Sequence, residues 1–411
     1  MKKHSKIGAA MTVALTLTGT LGISAGSLAA THAVRRDSIP SGIHLTVWSW
    51  WGTPEINVEK QLAAEWAKAH GDTVTVTQVA ASQGFQYFAT AARAGKGPDV
   101  GFAMPHDNNG VFQEEGLLAP VTGLNPKLYN PYTLQAVTIA GQQWAYPISV
   151  QSIALFYNKK LISTPPKTWA QFAADANKHG FGFAQHNLYY DFAYIGGMGG
   201  YIFQNNNGTL NPNKIGLDNA GAINAFALIR SMDTHYHWMN SNTTGNIAVS
   251  EFESGKIGMI LDGPWDVSNM VKAKIDLGVA RIPSLPDGKP ATPFLGVMTA
   301  FVNARSHNIP AAQSLAQFMA DAGQMHYFHV NDDLPALLPA QHNKAVQTNP
   351  VDAGFISALK YAIPMPNIPQ MASVWSSMTI IANIVKGSTT PAAGAHQFVK
   401  NIETAIKVQQ G

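Results

Sequence analysis

Short apolar runs and amphipathic segments alternate over residues 44–104, and this alternation constrains the fold more than any other feature. Residues 44–49, 73–77 and 100–104 have the length and composition of strands, and the two segments between them show helical periodicity. A strand–helix–strand–helix–strand order with short connections predicts a doubly wound α/β domain. In such domains ligands bind in the crevice beyond the carboxyl ends of the strands.

The residues that follow the predicted strands are therefore candidate site residues. Trp50 and Trp51 come directly after the first strand, and Asp107 follows the third strand. We expect these three side chains to lie near one edge of a sheet, where they would line a ligand crevice.

The charge balance argues against nucleic acid as a partner. The chain has 411 residues, enough for two to three domains. Its net charge of +3 equals the contribution of Lys2, Lys3 and Lys6, and subtracting these three lysines from 27 basic residues leaves 24 against 24 acidic residues. A formally neutral chain is not expected to bind nucleic acid or anionic lipid through its overall field. Cysteine is absent, which excludes disulfides and thiolate metal sites.

Residues 1–33 have the pattern of a secretory signal peptide. A short basic region precedes an uncharged apolar run over residues 7–28, and small residues allow cleavage after Ala29 or Ala33. An uncleaved membrane anchor is the alternative, but Gly19, Gly22 and Gly26 interrupt the apolar run. We predict a secreted protein, periplasmic or at the exterior of the cell envelope, without stable membrane insertion.

The sequence lacks the common catalytic motifs. It contains no G-x-S-x-G elbow, no H-E-x-x-H, no P-loop and no G-x-G-x-x-G. The pairs His235/His237 and His326/His329 have metal-ligand spacing, but such pairs are common in a chain with 14 histidines. We therefore predict no catalytic residues, no metal site and no cofactor.

Aromatic residues outside the predicted core stripes are the feature that indicates a function. Tyr189 and Tyr190 precede a glycine-rich stretch, Trp265 follows Gly-Pro after a predicted strand, and Trp375 follows a proline-rich loop. A flat aromatic ring suits the apolar face of a sugar, whose hydroxyls then need nearby polar groups. Core packing remains the alternative for any one of these rings, so composition alone does not establish sugar binding.

Four stretches make the sequence recognisable. They are residues 145–159 with 165–169, residues 200–203 with 216–222, Asp-Gly-Pro-Trp-Asp-Val-Ser-Asn at 262–269 with 293–297, and Met-Pro-Asn-Ile-Pro-Gln-Met at 365–371 with Trp375. Together they resemble the maltose/maltodextrin-binding proteins of ABC importers, within the larger family of extracellular solute-binding proteins. The resemblance covers residues 43–407.

The resemblance implies two doubly wound α/β lobes joined by hinge strands, with the ligand in the cleft between them. The implied N-terminal lobe is 43–149 plus 298–346, and the C-terminal lobe is 150–297 plus 347–411. The runs 144–157 and 294–302 would be two crossing strands, and a third crossing would fall near residues 345–351. The implied partners are a maltose or maltodextrin ligand and an ABC permease, bound by a monomer.

The resemblance also implies the roles of individual residues. The rings that would stack on the sugar are those of Tyr189, Trp265 and Trp375, with Tyr190 beside them. Asp107 would accept hydrogen bonds from sugar hydroxyls, and Trp50 and Trp51 would line the other wall of the cleft. Gln151 occupies the position of the family's hinge-strand glutamate.

Several positions depart from the family pattern. No Trp precedes Asp107, where Ala103, Met104 and Pro105 stand instead. Asn108 and Thr379 replace arginines of the family, as Gln151 replaces the glutamate. These changes remove one stacking surface and three charges from the cleft.

Other functions stay open at this stage. The ligand could be another α-glucoside such as trehalose or sucrose, or a longer dextrin. A secreted glycosidase would need two carboxylates roughly 5 to 10 Å apart, and the loops offer Asp107, Asp191, Asp262 and Asp266. A scaffold or adhesin would not need a cleft.

The scarcity of charge suggests a protein that serves an acidophile. Charged residues make up 12% of the chain, and an amide such as Gln151 keeps its hydrogen bonds at any pH. We expect the affinity to change by less than about tenfold between pH 7 and pH 3.5, provided that the pKa of Asp107 lies well below 3.5. Drift of a surface rich in Gln and Asn is the alternative explanation.

Overall fold

The computed structural model of the protein describes residues 41–80 and 85–410. The predicted signal peptide, residues 1–33, lies outside the described residues. The strands are β1 His44–Ser49, β2 Thr73–Gln78, β3 Val100–Pro105, β4 Thr138–Ile139, β5 Gln142–Gln143, β6 Tyr146–Gln151, β7 Ala154–Asn158, β8 Phe181–Gly182, β9 Tyr201–Asn206, β10 Thr209–Gly216, β11 Met259–Asp262, β12 Leu277–Ala280, β13 Phe294–Val302, β14 Leu334–Pro335 and β15 Ile363–Pro364.

Helices of between 4 and 23 residues separate most of these strands. They are α1 Glu55–His70, α2 Gln86–Arg93, α3 Asn109–Glu114, α4 Pro131–Val137, α5 Trp169–His179, α6 Leu188–Gly197, α7 Ala220–Thr234, α8 Gly245–Glu253, α9 Val267–Lys272, α10 Ile309–Asn331, α11 Leu338–Gln341, α12 Lys344–Thr348, α13 Pro350–Leu359, α14 Met371–Ser377, α15 Ile380–Val385 and α16 Pro391–Gln410. Among the described residues, no helix combines the length and the apolar character that a membrane span requires.

The larger sheet contains the strand–helix alternation that the sequence predicts. Its order is β14–β6–β13–β3–β1–β2, with β15 paired to one end of β13. β1 pairs in parallel with both β2 and β3, and β13 runs antiparallel to β3 and β6. Consecutive residues Val100 to Met104 of β3 are all buried, as expected for a strand covered on both faces.

The smaller sheet has the order β12–β7–β11–β8. β7 lies between β11 and β12 and is antiparallel to both, whereas β8 runs parallel to β11. A large core cluster surrounds this sheet and includes Phe192 of α6, Phe226 of α7 and Phe398 of α16. The α/β class predicted from the sequence is thus present in both sheets.

Of the two apolar runs predicted to cross between lobes, the first passes from one sheet to the other and the second stays in the larger sheet. The predicted run 144–157 is two strands, because β6 belongs to the larger sheet and β7 to the smaller one, with Ser152 and Ile153 between them. The run 294–302 is the single strand β13; its first residues pair with β15 and the rest with β6 and β3. At the expected third crossing, residues 345–348 belong to α12 and residues 350–351 to the start of α13, with Asn349 in an extended conformation between them.

Candidate functional site

A cavity of about 540 Å³ lies where the ends of the larger sheet meet helices that pack around the smaller one. This volume is in the range of small-molecule sites. The cavity is lined by Phe85, Gln86, Pro105, Asp107, Asn108, Gln151, Asn187, Tyr189, Gly296, Met298, Trp265, Met365, Ala372 and Trp375.

Five of the residues predicted from the sequence meet at this cavity: Asp107, Gln151, Tyr189, Trp265 and Trp375. They come from positions far apart in the chain, and each sits at the end of a strand or in a short helix. The crevice expected beyond the strand ends is therefore present.

Asp107 is the carboxylate of the site. It lies in the single 3-10 turn that follows β3, and only 7% of it is exposed. Trp375 Nε1 donates a hydrogen bond of 2.8 Å to Asp107 Oδ2, whereas Oδ1 is buried with no partner among the described residues. Burial raises the pKa of Asp107 to about 6, opposed by the Trp375 hydrogen bond.

The aromatic rings are arranged around the cavity at steep angles to one another. The ring centroids of Tyr189 and Trp265 are 6.0 Å apart at 58°, and Trp375 packs on the core residue Phe294 with ring centroids 6.4 Å apart at 69°. These pairs do not stack face to face, so they do not cover one another's faces. Such rings offer flat apolar surfaces to a ligand.

Local structure fixes where two of these rings lie. The side chain of Asn187 caps α6 by accepting a hydrogen bond of 3.0 Å from the backbone N–H of Tyr189. Trp265 folds back over Gly263, where a Cβ would stand 2.2 Å from the indole ring. Only glycine allows that approach, which explains the Gly-Pro-Trp sequence.

Tyr190 supports the Trp265 loop and is not among the residues that line the cavity. Its hydroxyl donates to Asp262 Oδ1 over 3.2 Å, and the backbone N–H of Gly263 donates to the same oxygen over 2.8 Å. Burial and the nearby Asp266 carboxylate together raise the pKa of Asp262 to about 8. The Tyr190 hydrogen bond thus holds the turn that carries Trp265.

Trp50 and Trp51 are also absent from the cavity lining. Trp50 is 8% exposed and packs in the core beside Phe85, with ring centroids 6.3 Å apart. Trp51 packs against Phe102 and Tyr327, at 6.2 and 4.8 Å. A turn in which Trp51 N donates to Ser49 Oγ directs the chain back into the domain. The wall that the sequence assigned to Trp50 and Trp51 is formed by Phe85 and Gln86 instead.

His106 is a buried connector that sequence reasoning missed. The backbone N–H of Val297 donates to His106 Nδ1 over 3.1 Å, and Nε2 donates to the Met365 carbonyl over 3.0 Å. These bonds require a neutral ring with its proton on Nε2. Burial lowers the pKa of His106 to about 4. His106 ties the end of β3 to β13 and to the segment that precedes Trp375.

Other lining residues were also missed, among them Gln86, Asn187, Met298 and Met365. Asn187 could have been found as a helix cap, but the two methionines look like ordinary core residues in the sequence. The described residues contain no group of three or more His, Asp or Glu that could hold a metal ion.

Comparison with known proteins identifies the family. The model of the bacterial extracellular solute-binding protein family matches residues 52–326. The chain belongs to this family. It is also similar to a solved structure, that of the maltose-maltodextrin binding protein of the thermoacidophilic bacterium Alicyclobacillus acidocaldarius. The TM-score is 0.84 at 55% identity, over 88% of this chain and 100% of that one.

Two curated relatives from Bacillus subtilis (strain 168) are more distant. The galactooligosaccharide-binding protein is 29% identical over 90% of this chain and 91% of its own length. The maltodextrin-binding protein MdxE is 28% identical over 85% of this chain and 87% of its own length. The family and the α/β fold class expected from the sequence are confirmed.

Proposed function

We propose that the protein captures maltodextrins in the cavity around Asp107 and presents them to an ABC permease, without chemical conversion. The observation that carries this proposal is the lining itself. Three aromatic side chains, Tyr189, Trp265 and Trp375, surround a space whose polar groups are one carboxyl and several amides. Two similar proteins are named for binding maltodextrin.

The chemistry of the lining suits an uncharged oligosaccharide. The aromatic faces provide the apolar partner for a pyranose ring, and the side chains of Gln86, Asn108, Gln151 and Asn187 both donate and accept hydrogen bonds. Among the described lining residues none is a lysine, arginine or glutamate. An anionic ligand would therefore lack a counter-ion in the cavity.

Capture would proceed by closure of two lobes. In this proposal the lobes are residues 43–149 plus 298–346 and residues 150–297 plus 347–411. Asp107 belongs to the first and Trp375 to the second, so their hydrogen bond joins the two walls. The short connection between β6 and β7 and the strand β13 would act as hinges, because few residues need to change their backbone angles.

Galactooligosaccharides are the second candidate, since one similar protein is named for binding them. Trehalose and sucrose have no such support. A glycosidase would need a second carboxylate near Asp107, and Asp107 is the one carboxylate among the described lining residues. Asp191 is fully buried, and Asp262 is hydrogen-bonded to Tyr190.

Calorimetric titration tests the proposal. The purified protein is titrated with maltose, maltotriose and maltotetraose, and with galactobiose and galactotriose at the same concentrations. We expect saturable binding of the maltodextrins and intact sugar after prolonged incubation. Preference for the galactosides would favour the second candidate, and release of glucose would show an enzyme.

The proposal also includes the cellular location and the oligomeric state of the protein. The family and the predicted signal peptide support a place outside the cytoplasm, where an importer takes its ligand from a binding protein. We expect a monomer in solution, which light scattering of the mature chain with and without sugar would test.

A further inference from the structure

Gln151 lines the cavity and is held from behind by a buried carboxyl group. Its side-chain Nε2 donates a hydrogen bond of 3.2 Å to Asp333 Oδ1. Asp333 directly precedes β14, which pairs with β6, and is 1% exposed. The two residues lie 182 positions apart in the chain, and Asp333 does not itself line the cavity.

The direction of this hydrogen bond decides what Gln151 offers to a ligand. A side-chain amide has a donor end and an acceptor end. Because Nε2 is engaged by Asp333, the other end, Oε1, is the one free to face a sugar hydroxyl. Without a partner on that side the amide could turn either end toward the ligand.

We propose that Asp333 is a positioning residue that fixes the Gln151 amide with its oxygen available to the ligand, and so makes this position an acceptor of a sugar hydroxyl. The inference rests on the proposed function of the cavity. It also explains why an amide suits position 151: a glutamate there would set two carboxylates against each other.

The surroundings of Asp333 strengthen this conclusion. Burial and the carboxylates of Glu55 and Asp332 raise its pKa to about 8, against the lowering effect of hydrogen bonds from Gln151 and Asn331. Among the described groups that act on Asp333, none is a cation. Asp333 Oδ2 has no hydrogen-bond partner among the described residues. The Gln151 amide is therefore a favourable neighbour in a site that already disfavours negative charge.

Affinity for maltotriose in a set of Asp333 variants provides the first test. Asp333→Asn keeps an oxygen that accepts from Gln151 Nε2, and we expect Kd within about twofold of wild type. Asp333→Leu removes the acceptor and should weaken binding about three- to tenfold, the range of one hydrogen bond. If the leucine variant does not fold, Asp333→Ala is measured in its place. Glu55→Gln, a change in a neighbouring carboxyl that does not touch Gln151, should leave Kd unchanged.

A double-mutant cycle separates positioning from a general effect on the fold. In a Gln151→Ala background, Asp333→Leu should have no further effect on Kd. A weakening as large as in wild type, or an unchanged Kd for Asp333→Leu in the presence of Gln151, would overturn the assignment. Absence of binding by folded wild-type protein would overturn the proposed function as well.

The pH profile of Gln151→Glu is a readout that a purely structural role would not produce. Two carboxyl groups at this distance share a proton in acid and repel each other once both are ionised. The ratio of the variant Kd to the wild-type Kd should therefore rise between pH 5 and pH 9. In Gln151→Glu with Asp333→Asn this rise should disappear, and a rise that persists there would contradict the proposal.

Discussion

The indole N–H of Trp375 donates a hydrogen bond of 2.8 Å to the carboxyl group of Asp107, although 268 positions separate the two residues. Trp375 belongs to α14, which packs in the core around the smaller sheet, and Asp107 follows β3 of the larger sheet. The bond holds the indole edge, so the faces of the ring are free for a ligand. It also leaves Asp107 with one oxygen, Oδ1, that has no partner among the described residues.

Replacing Trp265 by alanine should weaken sugar binding while leaving the fold intact. Trp265 lines the cavity and is only partly buried. Its loss should reduce the binding free energy by about 1 to 3 kcal/mol, with little change in melting temperature. Calorimetric titration and thermal melting measure the two effects.

Trp66→Ala is the matched control. Trp66 lies on α1, is 2% exposed and is not among the residues that line the cavity. Its replacement should reduce the free energy of unfolding by about 3 to 5 kcal/mol. If Trp265→Ala behaved like this control, with a large loss of stability and unchanged affinity in the folded fraction, Trp265 would be a core residue.

The sequence predicted much of this site because its aromatic residues occur in recognisable local motifs. Trp265 follows Gly-Pro, and Trp375 follows the proline-rich segment 365–369. Trp50 and Trp51 misled the prediction because a strand end does not reveal which way the following turn directs its side chains. Only the packing of Trp51 on Tyr327 shows that the pair turns inward.

Long-range contacts were beyond the reach of the sequence. The bonds of His106 to Val297 and Met365 join segments 191 and 259 positions apart. Nothing local to any of these residues marks the others as partners. The burial of Asp107 was likewise invisible, and with it the raised pKa.

The affinity for maltotriose should fall as the pH drops through about 6. The weak pH dependence expected from the sequence required a pKa of Asp107 well below 3.5, and burial places it at about 6 instead. An ionised carboxylate accepts stronger hydrogen bonds from sugar hydroxyls than a protonated one does. The hydrogen bonds from sugar hydroxyls to Asp107 should thus be strongest above pH 6, where the carboxyl group is ionised, and weaker below it.

Asp107→Asn tests that interpretation. The amide does not titrate, so the variant should bind more weakly than wild type at pH 7.5 and show a flatter pH profile. Titrations at pH 7.5, 6 and 4.5 are sufficient. A wild-type Kd that stays constant across this range, or a variant with the same pH dependence as wild type, would contradict the role of Asp107.

The free energy of unfolding, unlike the affinity, should increase as the pH falls. Glu59, Asp333 and Asp352 are buried, and burial raises the pKa of each to about 8. A carboxyl whose folded pKa exceeds the unfolded value near 4 binds its proton more tightly in the native state, so it stabilises the fold as the pH falls from 8. His106 opposes this: its folded pKa of about 4 lies below the unfolded value, and protons favour the unfolded chain below about 6.5.

Burial also raises the pKa of Asp107 and Asp262, and it lowers that of His186. Because the carboxyl groups with a raised pKa outnumber the two histidines, we predict a larger free energy of unfolding at pH 5 than at pH 8. Urea denaturation at both values measures it. Glu59→Gln should reduce the difference, because Glu59 Oε2 is buried without a partner among the described residues. Glu65→Gln, an exposed change on the same helix, should not. Equal or greater wild-type stability at pH 8 would show that these carboxyls are ionised in the native state without cost.

A bulkier residue at position 110 should disturb the path of the segment before α14. A Cβ on Gly110 would lie 2.3 Å from the Asn367 carbonyl oxygen. Asn367 also donates from Nδ2 to the carbonyls of Gln135, Ala136 and Thr138 at the end of α4, over 2.9 to 3.1 Å. Gly110→Ala should therefore lower both the melting temperature and the affinity for sugar, because α14 carries Trp375.

Gly245→Ala is the control for that change. At Gly245 the nearest atom to a new Cβ would be 3.5 Å away, which is ordinary contact. This substitution should leave melting temperature and Kd unchanged. A normal affinity in Gly110→Ala would mean that Trp375 does not depend on the contact between α3 and Asn367.

A crystal structure of the protein grown with maltotriose tests the central claim most directly. The account predicts glucose rings bound in the cavity, stacked on Tyr189, Trp265 or Trp375, with Asp107 and Gln151 accepting hydrogen bonds from sugar hydroxyls. Sugar bound at another surface, or a cavity that stays empty at saturating maltotriose, would contradict it.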